Sequence, residues 1–165
     1  MSTSTDKATP AAPASSLVDG MDGIERFLDS ELAGQIDFLI ARARGRGSGQ
    51  ANQMLADLDL KVRQSSVLAL AASGLNPSQR EMGEFLALDP SQIVALVDNL
   101  EDRGAVQRET DPRDRRSKII VATEAGHELH QKARQILAES EDVTLATLSP
   151  RERKQLRALL LKIAF

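Results

Sequence analysis

Apolar residues recur at steps of three and four in the first part of the chain, from residue 24 to residue 40. The series consists of Ile24, Phe27, Leu28, Leu32, Ile36, Leu39 and Ile40. This spacing predicts an amphipathic helix that ends near Arg44. The Gly/Ser-rich segment at 45–53 is predicted to break the helix, and a short helical turn is expected over 54–59.

The middle of the chain carries the start and stop signals of three helices. A helix is predicted from about Lys61 to Ala72, ending at Gly74. Ser78 is followed three residues later by a glutamate, which is a capping box, and Asp89-Pro90-Ser91-Gln92 repeats that pattern with proline at the first helical position. The second of these two short helices should run to about Arg103 and stop at Gly104. Two short helices around so tight a turn predict a helix-turn-helix.

Beyond Gly104 the pattern changes to two short β stretches, at 105–109 and 118–122, around a polar loop at 110–117. A β-hairpin directly after a helix-turn-helix is a wing. Thr123 then caps a long helix, and Ser149 with Glu152 forms a further capping box that opens a last amphipathic helix. Residues 1–17 are Ser, Thr, Ala and Pro with few large apolar side chains, so they are predicted to form a disordered tail.

Composition excludes several classes of protein. The 165 residues are 41% hydrophobic and 27% charged, which is typical of one globular domain. No apolar run approaches the roughly 18 residues of a membrane span, and the N-terminus lacks the pattern of a secretory signal, so we expect a cytoplasmic protein without a membrane partner. Without cysteine there is no disulfide, thiolate metal site or thiol nucleophile. No phosphate-binding glycine loop or Ser/His/Asp constellation points to an enzyme, and no cofactor is expected.

Charge is distributed unevenly along the chain. The formal net charge is -3, which argues against indiscriminate binding of nucleic acid. The stretch 108–118 nevertheless holds five basic and three acidic side chains. A local positive element therefore lies on an acidic protein, in and around the predicted wing.

The segment SQREMGEFLALDPSQIVALVDNLEDRGAVQRETDPRDRRSKIIVATEAG, residues 78–126, closely resembles the multiple-antibiotic-resistance regulator (MarR) family of winged-helix transcription factors. The order of elements extends the resemblance over 24–163. It implies a mainly α fold with a small β-hairpin wing, in which 61–122 form the winged helix-turn-helix DNA-binding lobe. The N-terminal helix and linker (24–60) and the C-terminal helices (123–165) would form the dimerisation region. The resemblance further implies a homodimer that binds a pseudo-palindromic operator on double-stranded DNA, usually as a repressor.

The second helix of the motif carries side chains that suit a DNA major groove. An apolar stripe on helix 90–103 leaves the opposite face to Ser91, Gln92, Ala95 and Asn99. A glutamine can pair with adenine through two hydrogen bonds, and Ala95 can pack on a thymine methyl group. The alternative is that these residues are merely solvated, but the neighbouring wing favours the DNA-reading interpretation.

Further DNA contacts are predicted around the wing. Arg115 is placed in the minor groove, where a narrow A·T-rich groove attracts guanidinium. Phosphate contacts are predicted for Arg113, Lys118, Ser78 and Arg80, with helix capping as the alternative role of Ser78. Asp114 and Arg116 fit the D-x-R pattern of the family, in which carboxylate and guanidinium are expected to brace the hairpin, and Arg116 is also a candidate DNA contact.

The resemblance implies a small effector, aromatic or anionic, bound between the dimerisation helices and the DNA-binding lobe. Arg42, Arg44 and Arg46 could hold a carboxylate or the phosphates of an acyl carrier, or could simply stabilise the end of a helix. The adjacent Ser65 and Ser66 could enlarge a pocket, and Phe38 could line it.

Two alternatives remain open. His127 and His130 lie three residues apart with Glu124 and Glu128 alongside, so a zinc- or nickel-responsive regulator is one of them, although no further histidine exists to complete a site. A winged helix can also serve as a protein-interaction module, but such a module has no reason to keep four basic residues around a hairpin tip.

Overall fold

The computed structural model describes residues 23–165. Its elements are two short 3-10 helices (Glu25–Asp29 and Glu31–Gly34), α1 (Ile36–Met54), a 3-10 turn (Ala56–Leu58), α2 (Val62–Ala71), α3 (Gln79–Leu86), α4 (Pro90–Asp102), β1 (Val106–Thr110), β2 (Lys118–Ala122), α5 (Glu124–Thr144) and α6 (Pro150–Ala164). The mainly helical fold with a two-stranded hairpin agrees with the prediction. The predicted tail at 1–17 lies outside the described residues.

Residues 23–44 belong to a compact unit of their own. The single helix predicted from Ile24 to Arg44 is wrong, because the chain forms two 3-10 helices before α1 begins. The backbone is extended at Ser30, with φ -77° and ψ 150°, and the Ser30 hydroxyl donates to the Phe27 carbonyl at 2.6 Å. Such local side-chain bonding competes with a continuous helix.

The predicted break at 45–53 is also wrong, because α1 runs through three glycines to Met54. Glycine lowers the stability of an isolated helix, but tertiary packing overrides this preference. Ala51 is buried in the last turn, and Leu55 directly after it is fully buried. A Cβ at Gly47 would lie 3.5 Å from the Thr144 side chain, an ordinary van der Waals distance, so α1 runs near the end of α5 at this point.

The core of the unit formed by 45–165 is almost entirely aliphatic. Its members come from α2, α3, α4, the hairpin and the loop before α2, with Ala133 from α5. They include Leu55, Leu60, Val67, Leu68, Met82, Ile93, Val97, Leu100, Val106 and Ile120. Full burial of one such side chain is worth roughly 1.5–3 kcal/mol, so this cluster fixes α4 against α2 and α3.

The hairpin pairs antiparallel, from Val106 opposite Ala122 to Thr110 opposite Lys118. Its inner edge is continued by the α2–α3 connection, since the Ile120 N–H donates to the Pro77 carbonyl at 2.9 Å. This bond anchors the wing directly to Pro77, which precedes Ser78, the N-cap residue of α3. No helix within residues 23–165 is long and apolar enough to cross a membrane.

Candidate functional site

The first helix of the motif, α3, begins at the predicted capping box. The Ser78 hydroxyl accepts from the Glu81 N–H at 3.2 Å and donates to Glu81 Oε2 at 2.8 Å, and the same oxygen accepts the Ser78 N–H at 2.7 Å. Hydrogen bonds from the backbone and hydroxyl of Ser78 lower the pKa of Glu81. Capping thus occupies the hydroxyl, which the sequence analysis also considered for a phosphate contact.

The turn between α3 and α4 is tight. Ala87 takes the left-handed conformation, with φ 51° and ψ 47°, and the Leu88 N–H donates to the Gly83 carbonyl at 3.0 Å. A Cβ at Gly83 would lie 3.3 Å from the Leu88 carbonyl oxygen, so glycine permits this close approach. The turn fixes the angle at which α4 leaves α3.

The second helix, α4, buries Ile93, Val97 and Leu100 and exposes the face predicted to read DNA. That face carries Ser91, Gln92, Ala95 and Asn99, all of them exposed. Two of its amides already accept hydrogen bonds. Gln92 Oε1 accepts the Asp89 N–H at 3.3 Å, and Asn99 Oδ1 accepts from Gln64 Nε2 of α2 at 2.5 Å.

Arg108 belongs to the basic stretch, but it does not face outward with the others. Its half-buried guanidinium forms ion pairs with Asp98 and Glu101 of α4, and Nε donates to Gln79 Oε1 of α3 at 3.4 Å. The side chain therefore fastens β1 to both helices of the motif. Side chains alternate between the two faces of a strand, and this alternation turns Arg108 toward the helices. A count of charges along the sequence does not reveal this orientation.

The base of the wing is held by Asp111, which the sequence analysis missed. Its side chain is only 9% exposed, and its carboxylate accepts from Arg113 Nε at 3.0 Å, from Arg113 Nη2 at 2.9 Å and from the Arg113 N–H at 2.8 Å. The Arg113 guanidinium holds the pKa of the Asp111 carboxyl below its usual range. Arg113, predicted to contact phosphate, is thus committed to an internal ion pair, although 63% of its side chain stays exposed. A hydrogen bond from a backbone N–H to the side chain of an aspartate two residues earlier forms an Asx turn, and the sequence Asp-Pro-Arg permits one.

The tip of the wing is organised by Asp114. Its carboxylate accepts the Arg116 N–H at 3.0 Å and the Ser117 hydroxyl at 2.9 Å. The expected pairing of Asp114 with the Arg116 guanidinium is wrong, because Arg116 takes part through its backbone. Within residues 23–165 the guanidinium groups of Arg115 and Arg116 make no hydrogen bond or ion pair, and both side chains are exposed.

The remaining predicted phosphate contacts have partners on their own element or its neighbour. Arg80 is highly exposed and pairs with Glu84 one turn later, Nε to Oε1 at 2.9 Å. The Lys118 ammonium donates to the Thr110 hydroxyl across the hairpin at 3.0 Å. Both groups lie at the surface, where water and a phosphate can compete for these bonds.

A separate open cleft of about 340 Å³ lies between α2 and α5. Its walls are Ser65, Ala69, His130, Ala133, Arg134, Leu137, Ala138 and Glu141. Ser65 is 3% exposed, and its hydroxyl has no hydrogen-bond partner among residues 23–165. Burial lowers the pKa of His130, and the nearby Arg134 and His127 add to the effect. The cleft thus combines an apolar floor, a cation and an unsatisfied hydroxyl.

Of the residues predicted to bind the effector, Ser65 alone lines this cleft. The Ser66 hydroxyl donates to the Val62 carbonyl at 3.0 Å within α2. Arg46 is exposed on α1, while Phe38, Arg42 and Arg44 belong to the N-terminal unit. Arg134 lines the cleft and was missed, because it sits on a helix that was considered only for its histidines.

The metal alternative lacks a third ligand in the part of the chain that the structure describes. No group of three or more His, Cys, Asp or Glu side chains in residues 23–165 is placed to hold a metal ion. His130 faces the α2–α5 cleft instead.

This fold recurs in proteins of known structure. CouR from Rhodococcus jostii RHA1, solved bound to p-coumaroyl-CoA, is 39% identical and matches with a TM-score of 0.76 over 83% of this chain and 96% of that one. A MarR-family transcriptional regulator from Rhodococcus sp. RHA1 is 38% identical, with a TM-score of 0.78 over 83% and 97% of the two chains. The regulator BilQ of Clostridium symbiosum is 31% identical over 86 residues, which span 52% of this chain and 60% of that protein.

The sequence signature of the MarR family matches residues 58–117, from the turn before α2 to the end of the wing loop. The protein from Rhodococcus sp. RHA1 and BilQ are transcriptional regulators. The matched segment contains both helices of the motif and the aspartates that brace the wing. The chain is a member of the MarR family of transcriptional regulators.

Proposed function

We propose that the protein is a homodimeric, ligand-responsive regulator that binds a pseudo-palindromic operator with α4 and the wing. The observation that carries the proposal is the wing tip. Asp111 and Asp114 fix the hairpin by hydrogen bonds, and the exposed guanidinium groups of Arg115 and Arg116 find no partner within residues 23–165. A hairpin held by these bonds that presents two exposed cations suits the anionic backbone and minor groove of DNA.

The proposal divides the chain as the sequence analysis expected, with the DNA-binding lobe at 61–122. The helices on either side would dimerise, because they carry apolar side chains that remain exposed. In α6 these include Leu159, Leu160, Leu161 and Ile163, and in the N-terminal segment they include Phe27, Leu32, Ile36 and Leu39. Patches of this kind on a folded protein are typical of an interface. Light scattering behind size-exclusion chromatography should give twice the mass of 17.9 kDa, and a monomer at all concentrations would contradict this part.

Binding of two half-sites about one helical turn apart follows from a twofold dimer of such lobes. The test is a fluorescence-anisotropy titration of the DNA upstream of the protein's own gene, with excess competitor DNA, at several salt concentrations. We expect specific binding whose affinity and salt dependence both fall in Arg115→Ala and Arg116→Ala, since each neutralised phosphate contributes about 0.9 to the slope. Lys132→Ala, which removes an exposed cation from α5, is the matched control. Equal binding by wild type and both wing variants would contradict the proposal.

The α2–α5 cleft is the proposed effector site. Its Arg134 guanidinium suits an anionic group of a ligand, and the floor formed by Ala69, Ala133 and Leu137 suits an aromatic ring. The Ser65 hydroxyl has no hydrogen-bond partner among residues 23–165, and a ligand could supply one. A polar group so buried and unpaired costs free energy until it is satisfied. The p-coumaroyl-CoA bound by the similar CouR supports an aromatic acid or its thioester as the ligand class.

Release of DNA requires the effector to bind more tightly to the conformation that does not fit the operator. Repression relieved by the effector is the proposed direction of control, as the family resemblance implies. Isothermal titration with p-coumaroyl-CoA and with p-coumarate separates a thioester ligand from a free acid. We expect binding to at least one of the two to be weakened by Arg134→Ala, with Lys132→Ala as the control on the same helix. Binding unaffected by Arg134→Ala would place the ligand elsewhere.

A further inference from the structure

The exposed face of α4 offers fewer free hydrogen-bonding groups than its sequence suggests. The side-chain oxygen of Gln92 accepts the Asp89 N–H, that of Asn99 accepts from Gln64, and the Asp98 carboxylate is paired with Arg108. Pairing of an amide side chain with adenine needs both its oxygen and its nitrogen. Gln92 and Asn99 each already use one lone pair of this oxygen internally, so pairing with adenine would have to share the oxygen with the internal donor.

The same face carries two adjacent apolar side chains in the N-terminal half of the helix, where a recognition helix approaches base edges. Val94 is 45% exposed and Ala95 is also exposed. Val94 lies one turn before Asp98, whose carboxylate is drawn toward Arg108. The ion pair thus offsets part of the negative charge beside Val94, since Arg108 is shared with Glu101. Val94 and Ala95 form a small exposed apolar surface next to it.

Thymine is the base that presents an apolar group in the major groove, namely its 5-methyl group. We infer that Val94, together with Ala95, recognises thymine in each half-site through contact with this methyl group. The inference rests on the proposed function and adds a specificity-determining residue that the periodicity of α4 did not single out. Gln92 and Asn99 also help to hold α4, one at its cap and one against α2.

The experiment uses operator duplexes that the full-length wild-type protein selects from a random-sequence pool. Each thymine of a selected half-site is replaced in turn by deoxyuridine, which removes only the methyl group. We expect at least one replacement to weaken binding about fourfold, the effect of one buried methyl group. In Val94→Ala, the loss of affinity caused by replacing that thymine should fall from about fourfold toward no change. The affinity of this variant for the uracil duplex should stay near that of the wild type.

Leu75→Ala is the matched control, because it removes another exposed aliphatic side chain from the same lobe, outside α4. It should keep the full discrimination between thymine and uracil. Equal affinity of the wild type for thymine and uracil at every position would overturn the inference, and so would discrimination that survives in both Val94→Ala and Ala95→Gly. A pool in which the wild type enriches no sequence would instead contradict the proposed function itself.

Discussion

The guanidinium of Arg103, which ends α4, donates a hydrogen bond to the carbonyl oxygen of Asp59, 44 positions earlier, with an Nη1–O distance of 2.6 Å. The second nitrogen, Nη2, donates to the Leu58 carbonyl at 2.9 Å. Asp59 presents its carbonyl from the left-handed region, with φ 47°, which aspartate tolerates better than most residues. The loop before α2 and the end of the candidate recognition helix are therefore joined by one side chain.

Arg103→Ala should lower the free energy of unfolding by about 1–2 kcal/mol, because two charged hydrogen bonds are lost at a partly solvated site. Urea denaturation followed by circular dichroism measures the change. Arg63→Ala, on the exposed side of α2, is the matched control and should change stability by less than about 0.5 kcal/mol. Equal effects of the two substitutions would show that the contact with the loop contributes nothing.

The elements that begin with a capping pattern could be predicted from the sequence almost to the residue. Ser78 and Thr123 accept hydrogen bonds from the first turn of α3 and α5 as expected, and Gly104 adopts φ 68°. Local chemistry decides these boundaries. The course of α1 could not be predicted, because the burial of Ala51 in its last turn and of Leu55 just after it depends on packing with distant parts of the chain.

Gly126→Ala should be among the most destabilising single substitutions in the protein. A Cβ at Gly126 would lie 1.9 Å from the carbonyl oxygen of Ala105 and 2.9 Å from its carbonyl carbon. Both atoms are backbone, so the start of α5 must move away from the hairpin. We expect a loss above about 3 kcal/mol, toward the upper range for overpacking, measured by urea or thermal denaturation.

The comparison for Gly126→Ala is Gly49→Ala in α1, where nothing lies within 4 Å of the added Cβ. Alanine is favoured over glycine in a helix by about 0.8–1 kcal/mol, so this variant should gain stability. Two identical substitutions should thus move the unfolding midpoint in opposite directions. A loss for both would mean that α1 cannot accept a side chain at Gly49.

Acid should loosen the wing before it unfolds the helices. Arg113 holds the pKa of Asp111 below its usual value of about 3.9, so the folded wing is stabilised above that pH. The contribution is lost as pH falls through the lowered pKa, when the carboxyl takes up a proton. Asp111→Asn removes the titrating group and should flatten the acid side of the pH–stability curve, while it weakens operator binding at pH 7. Asp57→Asn, on the exposed 3-10 turn outside the wing, is the control for the removal of one carboxylate.

The internal partners of the wing cations lay beyond sequence reasoning. Arg108 and Arg113 stand in the same basic run as Arg115 and Arg116. Within residues 23–165 the first two pair with carboxylates, and the guanidinium groups of the last two do not. A charge count treats the four as equivalent. Strand alternation and the Asx turn at Asp111 separate them, and both depend on the register of the hairpin.

Ser65 gives a prediction that needs no knowledge of the effector. Its hydroxyl is buried without a partner, so Ser65→Ala should leave the free energy of unfolding unchanged or raise it by up to about 1 kcal/mol, since an unsatisfied polar group is removed. Its neighbour Ser66 differs because its hydroxyl is satisfied within α2, and Ser66→Ala should change stability by less than about 0.5 kcal/mol. If the α2–α5 cleft binds p-coumaroyl-CoA through this hydroxyl, Ser65→Ala alone lowers the affinity measured by calorimetry. A clear loss of stability in Ser65→Ala would instead show that the hydroxyl has a structural partner, such as an ordered water, and that its role is not reserved for a ligand.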